Sequence, residues 1–241
     1  MDLTLLEESI LTISSVGIEE LVIEPCEEDD QKTRFRGANK ERSVVVYDSK
    51  DFSLTDVPMG ILSVKALLSR ISLFDVSKAK AETEKNNDVV SKISLKQGRK
   101  KANYQCSDPS YLQVPKKIPG NLESDNKIVL NKEMVDHISQ AVASMSLTGS
   151  KEERYISISV SDNTMTVTIS DGESDAFTDV VSLDATIEDV AKASWDVVSF
   201  QRVMKKASEL SEDHSASFHI TEHGVIVFVV GNFNIIVVPM A

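Results

Sequence analysis

The sequence is short of cysteine and has no recognisable signal peptide. Only Cys26 and Cys106 occur, neither in a CxxC pair nor beside a histidine. Two isolated thiols favour a reduced, intracellular protein over one that carries a single disulfide. The first residues, MDLTLLEES, contain no basic segment and no long apolar core, so no signal peptide is expected.

The sequence also lacks an uninterrupted apolar run that would span a bilayer. The C-terminal stretch from Gly224 to Ala241 is strongly apolar, but Gly231 and Asn232 divide it into two runs, each too short for a membrane helix. A Gly-Asn pair between two apolar runs is a turn signal. The stretch therefore predicts a buried hairpin.

Positive charge is scarce. The 26 lysines and arginines face 38 aspartates and glutamates, which gives a formal net charge of −12. Solubility is the simplest explanation for such an excess of acid. A protein that grips DNA phosphates firmly is normally basic, so any contact with DNA must be local, weak or topological.

Catalytic signatures are missing as well. There is no GxSxG, P-loop or GxGxxG motif. His219 and His223 are four residues apart, but they lie on a predicted strand and turn, where this spacing does not converge on a metal as it does on a helix. His137 and His214 are remote in sequence, and the acidic run 27–30 is typical of a solvated loop, with a divalent-cation site as the alternative. An enzyme stays only as a competing hypothesis.

What is present is a repeated order of elements, in which a short amphipathic helix is followed by a run of strands. The chain of 241 residues, 41% hydrophobic and 27% charged, has room for two domains of ordinary size. Four such units are predicted, with helices that start near residues 4, 60, 132 and 198. The apolar helix faces are formed by Leu5, Leu6, Ser9, Ile10 and Ile13; by Ile61, Leu62, Val64, Leu67, Leu68 and Ile71; by Met134, Val135, Ile138, Ala141, Val142 and Met145; and by Phe200, Val203, Met204, Ala207 and Leu210.

Strands are predicted after each helix, separated by turn residues such as Asp162-Asn163, Asp171-Gly172 and His223-Gly224. Asn131 is the predicted N-cap of the third helix. The predicted strands are 21–23, 33–36, 43–47, 78–84, 89–96, 101–106, 155–160, 164–170, 177–183, 216–221, 225–230 and 233–238.

A segment with two prolines and a glycine, residues 112–121, interrupts both periodicities and predicts an extended connector. The predicted organisation is an N-terminal domain at 1–111, a connector at 112–124 and a C-terminal domain at 125–241. The fold class is α+β, with two similar domains of two helix-plus-antiparallel-strand units each and with the helices on one face of the sheets. Sheets of this kind end in edge strands, and pairing the edges of neighbouring subunits would close a ring.

Three passages of the chain carry a resemblance to a known family. They are Val46-Tyr-Asp-Ser49, the run Met59–Leu68 with Gly60-Ile-Leu-Ser63 as its best local match, and 102–119, in which Ser107-Asp-Pro-Ser110 precedes the connector. The pattern resembles the DNA polymerase sliding clamps, in particular the trimeric clamps of T-even-like phages and, more distantly, proliferating cell nuclear antigen.

The resemblance implies the DNA-clamp fold and a non-enzymatic processivity factor in DNA replication that needs no cofactor. It implies a head-to-tail homotrimeric ring around duplex DNA, with helices lining the hole and no sequence-specific contacts. The implied partners are the replicative DNA polymerase and an ATP-driven clamp loader, and no membrane. The expected location is the cytoplasm, which is the host cytoplasm if the gene is phage-borne.

The resemblance also suggests candidate site residues. On the predicted helices and at one strand turn, the basic residues expected to face DNA are Lys65, Arg70, Arg99, Lys100, Lys101, Lys132, Arg202, Lys205 and Lys206. Glu7 and Glu8 depart from a uniformly basic helix layer. An apolar pocket for a partner peptide is expected at Leu112, Val114, Ile118, Val238, Pro239 and Met240. The competing interpretation is an acidic, β-rich structural or assembly protein, such as a phage virion component or a histone-chaperone-like oligomer that does not encircle DNA.

Overall fold

The computed structural model describes residues 1–27, 29, 31–117, 127–145, 154–170, 176–182, 190–221 and 223–240. The chain divides into two compact units, Met1–Ile118 and Pro119–Ala241.

Among its described residues, unit 1 contains two α-helices, a 3-10 helix at Pro109–Tyr111 and a set of strands. Strand β1 pairs antiparallel with both β2 and β4, and β2 pairs with β3. Strand β6 pairs antiparallel with β5 and β7, and a single parallel pair, Met59 with Val90, joins β4 to β6. The elements are α1 (Leu3–Ser15), β1 (Glu20–Pro25), β2 (Thr33–Ala38), β3 (Val44–Lys50), β4 (Met59–Ile61), α2 (Val64–Ile71), β5 (Lys80–Asn86), β6 (Val89–Gln97) and β7 (Lys100–Gln105).

Unit 2 follows the same plan after one additional strand. Strand β9 pairs antiparallel with β10 and β12, and β10 pairs with β11. Strand β14 lies between β13 and β15, and β8 pairs with β13. The elements are β8 (Lys127–Leu130), α3 (Lys132–Ser144), β9 (Tyr155–Ser161), β10 (Thr164–Ser170), β11 (Ala176–Ser182), β12 (Val190–Asp196), α4 (Val197–Leu210), β13 (Ala216–Ile220), β14 (Ile226–Val230) and β15 (Phe233–Val237).

Among the described residues, the two units therefore share one order of α-helices and strands, namely an α-helix, four strands, an α-helix and three strands, with the same pairing within each set of strands. Each unit thus consists of two helix-plus-strand runs, as the sequence predicts. The prediction of an α+β protein built from two similar domains is confirmed.

Each described helix begins at a polar residue whose side chain accepts a hydrogen bond from a backbone N–H of the first turn. Such caps satisfy donors that have no partner within the helix. Asn131 acts in this way on the N–H of Met134 at 3.0 Å, as predicted. The N-caps are Asp2, Ser63, Asn131 and Asp196.

The cores lie where the helix faces meet the sheets. In unit 2 the fully buried Phe200 of α4 packs against both Phe218 and Phe228, with ring centroids 6.2 and 5.3 Å away. Trp195, at the end of β12, is also buried, and its indole N–H donates to the Gly224 carbonyl at 3.0 Å. In unit 1, α1 buries Leu6, Ile10 and Ile13 completely, while α2 buries Val64, Leu67 and Ile71.

Some predicted elements are wrong in detail. The second helix begins at Val64 rather than near residue 60, because Ile61 ends strand β4 and Leu62, which is 57% exposed, lies outside the helix. The sequence pattern places Leu210 on the apolar face of α4, but this residue is 43% exposed at the last turn. Strands β4, β8 and β12 were not predicted. The predicted turn Asp171-Gly172 lies outside the described residues.

Candidate nucleic-acid interface

The basic residues of α2 have different surroundings. Lys65 is exposed and lines a groove between α1 and α2, to which Glu7 also contributes. Arg70 is half-buried and held within unit 1. Its Nε donates to the Asn103 carbonyl at 2.9 Å, a terminal nitrogen donates to the Ala66 carbonyl at 2.8 Å, and the guanidinium lies 5.4 Å from the centroid of the Tyr104 ring.

Tyr104 fixes β7 against the start of α2. Its hydroxyl accepts from the Ser63 N–H at 3.1 Å and is 3.3 Å from the Ser63 carbonyl, which it can donate to. Burial raises the pKa of this phenol, so it stays neutral at ordinary pH. The two contacts place the N-cap of α2 and the basic strand β7 side by side.

The turn between β6 and β7 holds the densest cluster of cations. Arg99, Lys100 and Lys101 are all exposed, and Lys100 Nζ donates to the Leu73 carbonyl at 3.4 Å. Lys96, which belongs to the same hairpin, forms an ion pair with Glu82 of β5. Arg99 and Lys101 have no acidic partner among the described residues.

Helix α4 presents a second basic surface. Arg202 and Lys205 are exposed, while Lys206 pairs with Glu209 at 3.2 Å. Lys205 lines a groove between α3 and α4. Helix α4 therefore carries three cations, Arg202, Lys205 and Lys206, against one acid, Glu209.

Helix α3 is acidic rather than basic. Lys132 forms an i,i+4 ion pair with Asp136 on the same helix, which neutralises the single lysine of α3. Glu133 is exposed in the first turn, where a carboxylate is favoured by the helix dipole. His137 Nδ1 lies 3.1 Å from Asp179 of β11, so the polar side of α3 contacts an acidic strand. Glu7 and Glu8 likewise place acids on α1, so the described helices carry charges of both signs.

The start of the predicted connector is fastened to unit 1. Arg36 forms a bidentate ion pair with Glu24, at 2.7 and 2.9 Å, and donates from its other terminal nitrogen to the Pro115 carbonyl at 2.9 Å. The Glu24 carboxylate raises the pKa of Arg36 by hydrogen bonding. The Gln113 N–H donates to the Glu20 carboxylate at 2.8 Å. Arg36 and Glu24 are remote in sequence and meet only because β1 pairs with β2, so the sequence alone does not indicate this contact.

The residues predicted to form the partner pocket are placed as follows. Leu112 is only 7% exposed, and its side chain packs against Gly60 within unit 1. Val114 is half-buried, and Ile118 lies outside the described residues. In unit 2, Val238, Pro239 and Met240 are half-buried, and the Met240 N–H donates to the Ser194 carbonyl at 2.8 Å.

No cluster of histidine, cysteine and acidic residues that would hold a metal ion occurs among the described residues. None of the described helices has the length and apolar character needed to cross a bilayer.

The fold is the DNA-clamp fold. This follows from the repeated order of a helix, four strands, a helix and three strands, and from its match to solved structures. The chain is similar over 100% of its length to a putative DNA polymerase III beta subunit from Eubacterium rectale, with a TM-score of 0.71 and 12% identity. It is similar, again over its whole length, to the A. fulgidus PCNA bound to the C-terminal region of FEN-1, with a TM-score of 0.64 and 16% identity.

The share of each neighbour that the chain covers differs. It spans 64% of the Eubacterium rectale chain, but 97% of the A. fulgidus chain. It likewise spans 96% of Proliferating Cellular Nuclear Antigen from Entamoeba histolytica, with a TM-score of 0.64 and 15% identity. No protein-family model and no curated protein sequence matches the chain.

Proposed function

We propose that the chain is a subunit of a sliding clamp, a non-enzymatic processivity factor that encircles duplex DNA and tethers the replicative DNA polymerase. The observation that carries this proposal is the duplicated clamp unit, which matches solved clamps over the full length of the chain. We propose a head-to-tail homotrimer, because the resemblance to the trimeric clamps implies a ring of six similar units and three copies with two units each would supply them. An ATP-driven loader would open this ring.

The charge distribution supports a protein that stays on DNA because its ring surrounds the duplex, and not because it binds the phosphates tightly. The chain carries a net charge of −12, yet α2 has Lys65 and Arg70 with no acid of its own, and α4 has three cations against Glu209. Each phosphate that a protein neutralises adds about −0.9 to the salt slope of binding, so many tight contacts would pin a clamp in place. A few cations on the helices centre the duplex without anchoring it.

The polymerase is proposed to dock a short peptide on apolar surface that the fold leaves accessible. Val114 in unit 1 and Pro239 and Met240 in unit 2 remain candidates for such contacts, since each is half-buried. Leu112 is a weaker candidate because its side chain is already covered.

The first test is the oligomeric state. Size-exclusion chromatography with light scattering should report three times the chain mass of 26.5 kDa. The second test distinguishes a protein held on DNA by encirclement from one held by its affinity for DNA. After loading, the protein should persist on nicked circular DNA and leave once that DNA is linearised.

Two results would contradict the proposal. A chain that is monomeric at micromolar concentration would show that no stable ring forms. A stable oligomer that dissociates equally from circular and linear DNA would favour the acidic assembly protein instead.

A further inference from the structure

Residues 112–115, the strap, follow the 3-10 helix of unit 1 and belong to no strand. Leu112 is buried, and one of its methyl carbons lies 3.2 Å from the place that a Cβ would occupy on Gly60 of β4. The backbone N–H of Gln113 donates to the carboxylate of Glu20 in β1 at 2.8 Å. Two successive residues of the strap therefore contact two different strands.

The strap reaches a third strand at Pro115. The carbonyl of this residue accepts a hydrogen bond from a terminal nitrogen of Arg36 in β2 at 2.9 Å. Strands β4, β1 and β2 are neighbours in that order, since β1 pairs with both of the others. Three residue steps of extended chain span about 10 Å, which is about twice the ~4.8 Å spacing between neighbouring strands. The strap therefore crosses the three strands, from β4 to β2.

The strand register shows on which face of the sheet the strap lies. Val22 of β1 lies opposite Gly60 on one side and opposite Arg36 on the other, so the three residues form one row on one face. The neighbours of Val22 along β1 point to the opposite face, because side chains alternate along a strand. The strap contacts both ends of this row through its first and last residues, so it passes over Val22, which is fully buried.

Arg36 makes the best-shielded polar contact of the strap. Its Nε and one terminal nitrogen donate to the two oxygens of Glu24, which leaves the other terminal nitrogen for the Pro115 carbonyl. The two charged side chains are only 15% and 17% exposed, and ion pairs shielded from water are stronger than exposed ones. Arg42, by contrast, is exposed where it donates to the side chain of Gln113 at 2.6 Å. The Glu24 carboxylate thus fixes the guanidinium, and the guanidinium fixes the end of the strap.

We propose that Arg36 is the positioning residue of the connector, and that with Glu24 it holds the strap across β4, β1 and β2. Val114 lies between the two residues of the strap whose backbones are hydrogen-bonded to these strands, Gln113 and Pro115. This half-buried contact for a partner peptide is therefore fixed in place before any partner binds. Only this last step rests on the proposed function, since the strap itself is a property of the single chain.

The test measures the strap in the whole protein by two methods. Hydrogen exchange with mass spectrometry reports the amides of Gln113 and Val114, and limited trypsin digestion reports the bonds after the exposed Lys116 and Lys117. In R36Q, the exchange and the cleavage should each become faster by about tenfold or more, because the strap loses a hydrogen bond from a charged donor. Urea unfolding of the same variant measures the change in overall stability.

The variant R36K separates the geometry of the guanidinium from its charge. A lysine keeps a positive charge beside Glu24, so this variant should fold even if R36Q does not. Its single ammonium lacks the planar fork that binds both carboxylate oxygens and the Pro115 carbonyl together. R36K should therefore release the strap nearly as much as R36Q does, with a smaller loss of stability.

Two controls distinguish release of the strap from a general loosening of unit 1. The variant K50Q removes an ion pair of similar burial within β3, between Lys50 and Asp48 at 2.6 Å, and leaves Arg36 in place. It should lower the stability in urea but leave the exchange of the Gln113 amide unchanged. Within each digest, cleavage after the exposed Lys101 in β7 should keep its wild-type rate.

Exchange and cleavage of R36Q at the wild-type rates would overturn the proposal, and so would wild-type behaviour of R36K. An equal acceleration in K50Q, or after Lys101 in R36Q, would show general loosening and would overturn it as well. These measurements do not depend on the oligomeric state or on DNA. A monomeric chain would therefore contradict the clamp function while the strap stands, and a strap that does not need Arg36 would leave the clamp function untouched.

Discussion

At the scale of single residues, Gly60 shows why the Gly-Ile-Leu-Ser motif is needed for the structure of unit 1. It lies in β4 and forms an isolated bridge with Ser107. A Cβ atom at this position would lie 2.4 Å from the Ser107 carbonyl oxygen and 3.2 Å from a methyl group of Leu112. The Gly-Ile-Leu-Ser run therefore needs its glycine for the close approach of the segment that leads into the connector.

Replacing Gly60 with alanine should destabilise the protein by about 1–3 kcal/mol, because backbone rather than a flexible side chain must move. Equilibrium unfolding in urea measures this loss. The control is Gly98→Asn, at a turn with φ of 57° and nothing within 4 Å of a Cβ, where asparagine tolerates the left-handed backbone. A Gly60→Ala protein as stable as this control would refute the close-approach argument.

The thiol of Cys106 is expected to be inert in the folded protein. Burial raises its pKa to about 12, so little thiolate exists near neutral pH. In a Cys26→Ser background, a disulfide reagent at pH 8 should therefore react at least about 100-fold more slowly with the native protein than with the protein in denaturant. Equal rates in the two states would show that Cys106 is exposed.

At the scale of elements, the sequence predicts long periodic segments well and short or paired ones poorly. Strands with alternating buried and exposed residues, such as β9 and β10, can be predicted from their own sequence. The turn between them is also recognisable, because Asp162 and Asn163, with φ of 50° and 57°, are residue types that tolerate this left-handed backbone. Strand β4 has three residues, and its strand character comes from partners in β1 and near Ser107 that are remote in sequence. The apolar pattern therefore extended α2 across β4, although Ser63 caps the helix.

The buried face of α4 allows a direct test of the corrected helix pattern. Phe200→Ala should cost about 3–5 kcal/mol, because the fully buried ring packs against both Phe218 and Phe228. Leu210→Ala, which removes an apolar side chain from the same helix, should cost less than about 1 kcal/mol, since Leu210 is 43% exposed. Equal losses in thermal or urea unfolding would show that Leu210 belongs to the core after all.

At the scale of the whole molecule, the architecture was more accessible to sequence reasoning than the site. The four helix-plus-strand runs follow from local periodicity, which each segment carries by itself. The electrostatic surroundings of a charged residue do not follow from local periodicity, because they depend on ion pairs and hydrogen bonds with residues that only the folded structure brings close. The sequence predicts that Lys132 is free to contact DNA, but Lys132 forms an ion pair with Asp136. The Arg70 guanidinium donates hydrogen bonds to two backbone carbonyls.

The cations of α4 provide the sharpest test of encirclement by an acidic protein. Arg202 and Lys205 are exposed and have no acidic partner among the described residues, so R202E/K205E should lower the rate of loading onto nicked circular DNA by about tenfold through lost electrostatic steering. The trimer should remain intact, and molecules that do load should still run off only after linearisation. The control K116E/K117E carries the same charge change and should load normally. If R202E/K205E loads as well as this control, α4 does not face the duplex, and the positive charge that centres DNA lies on another element.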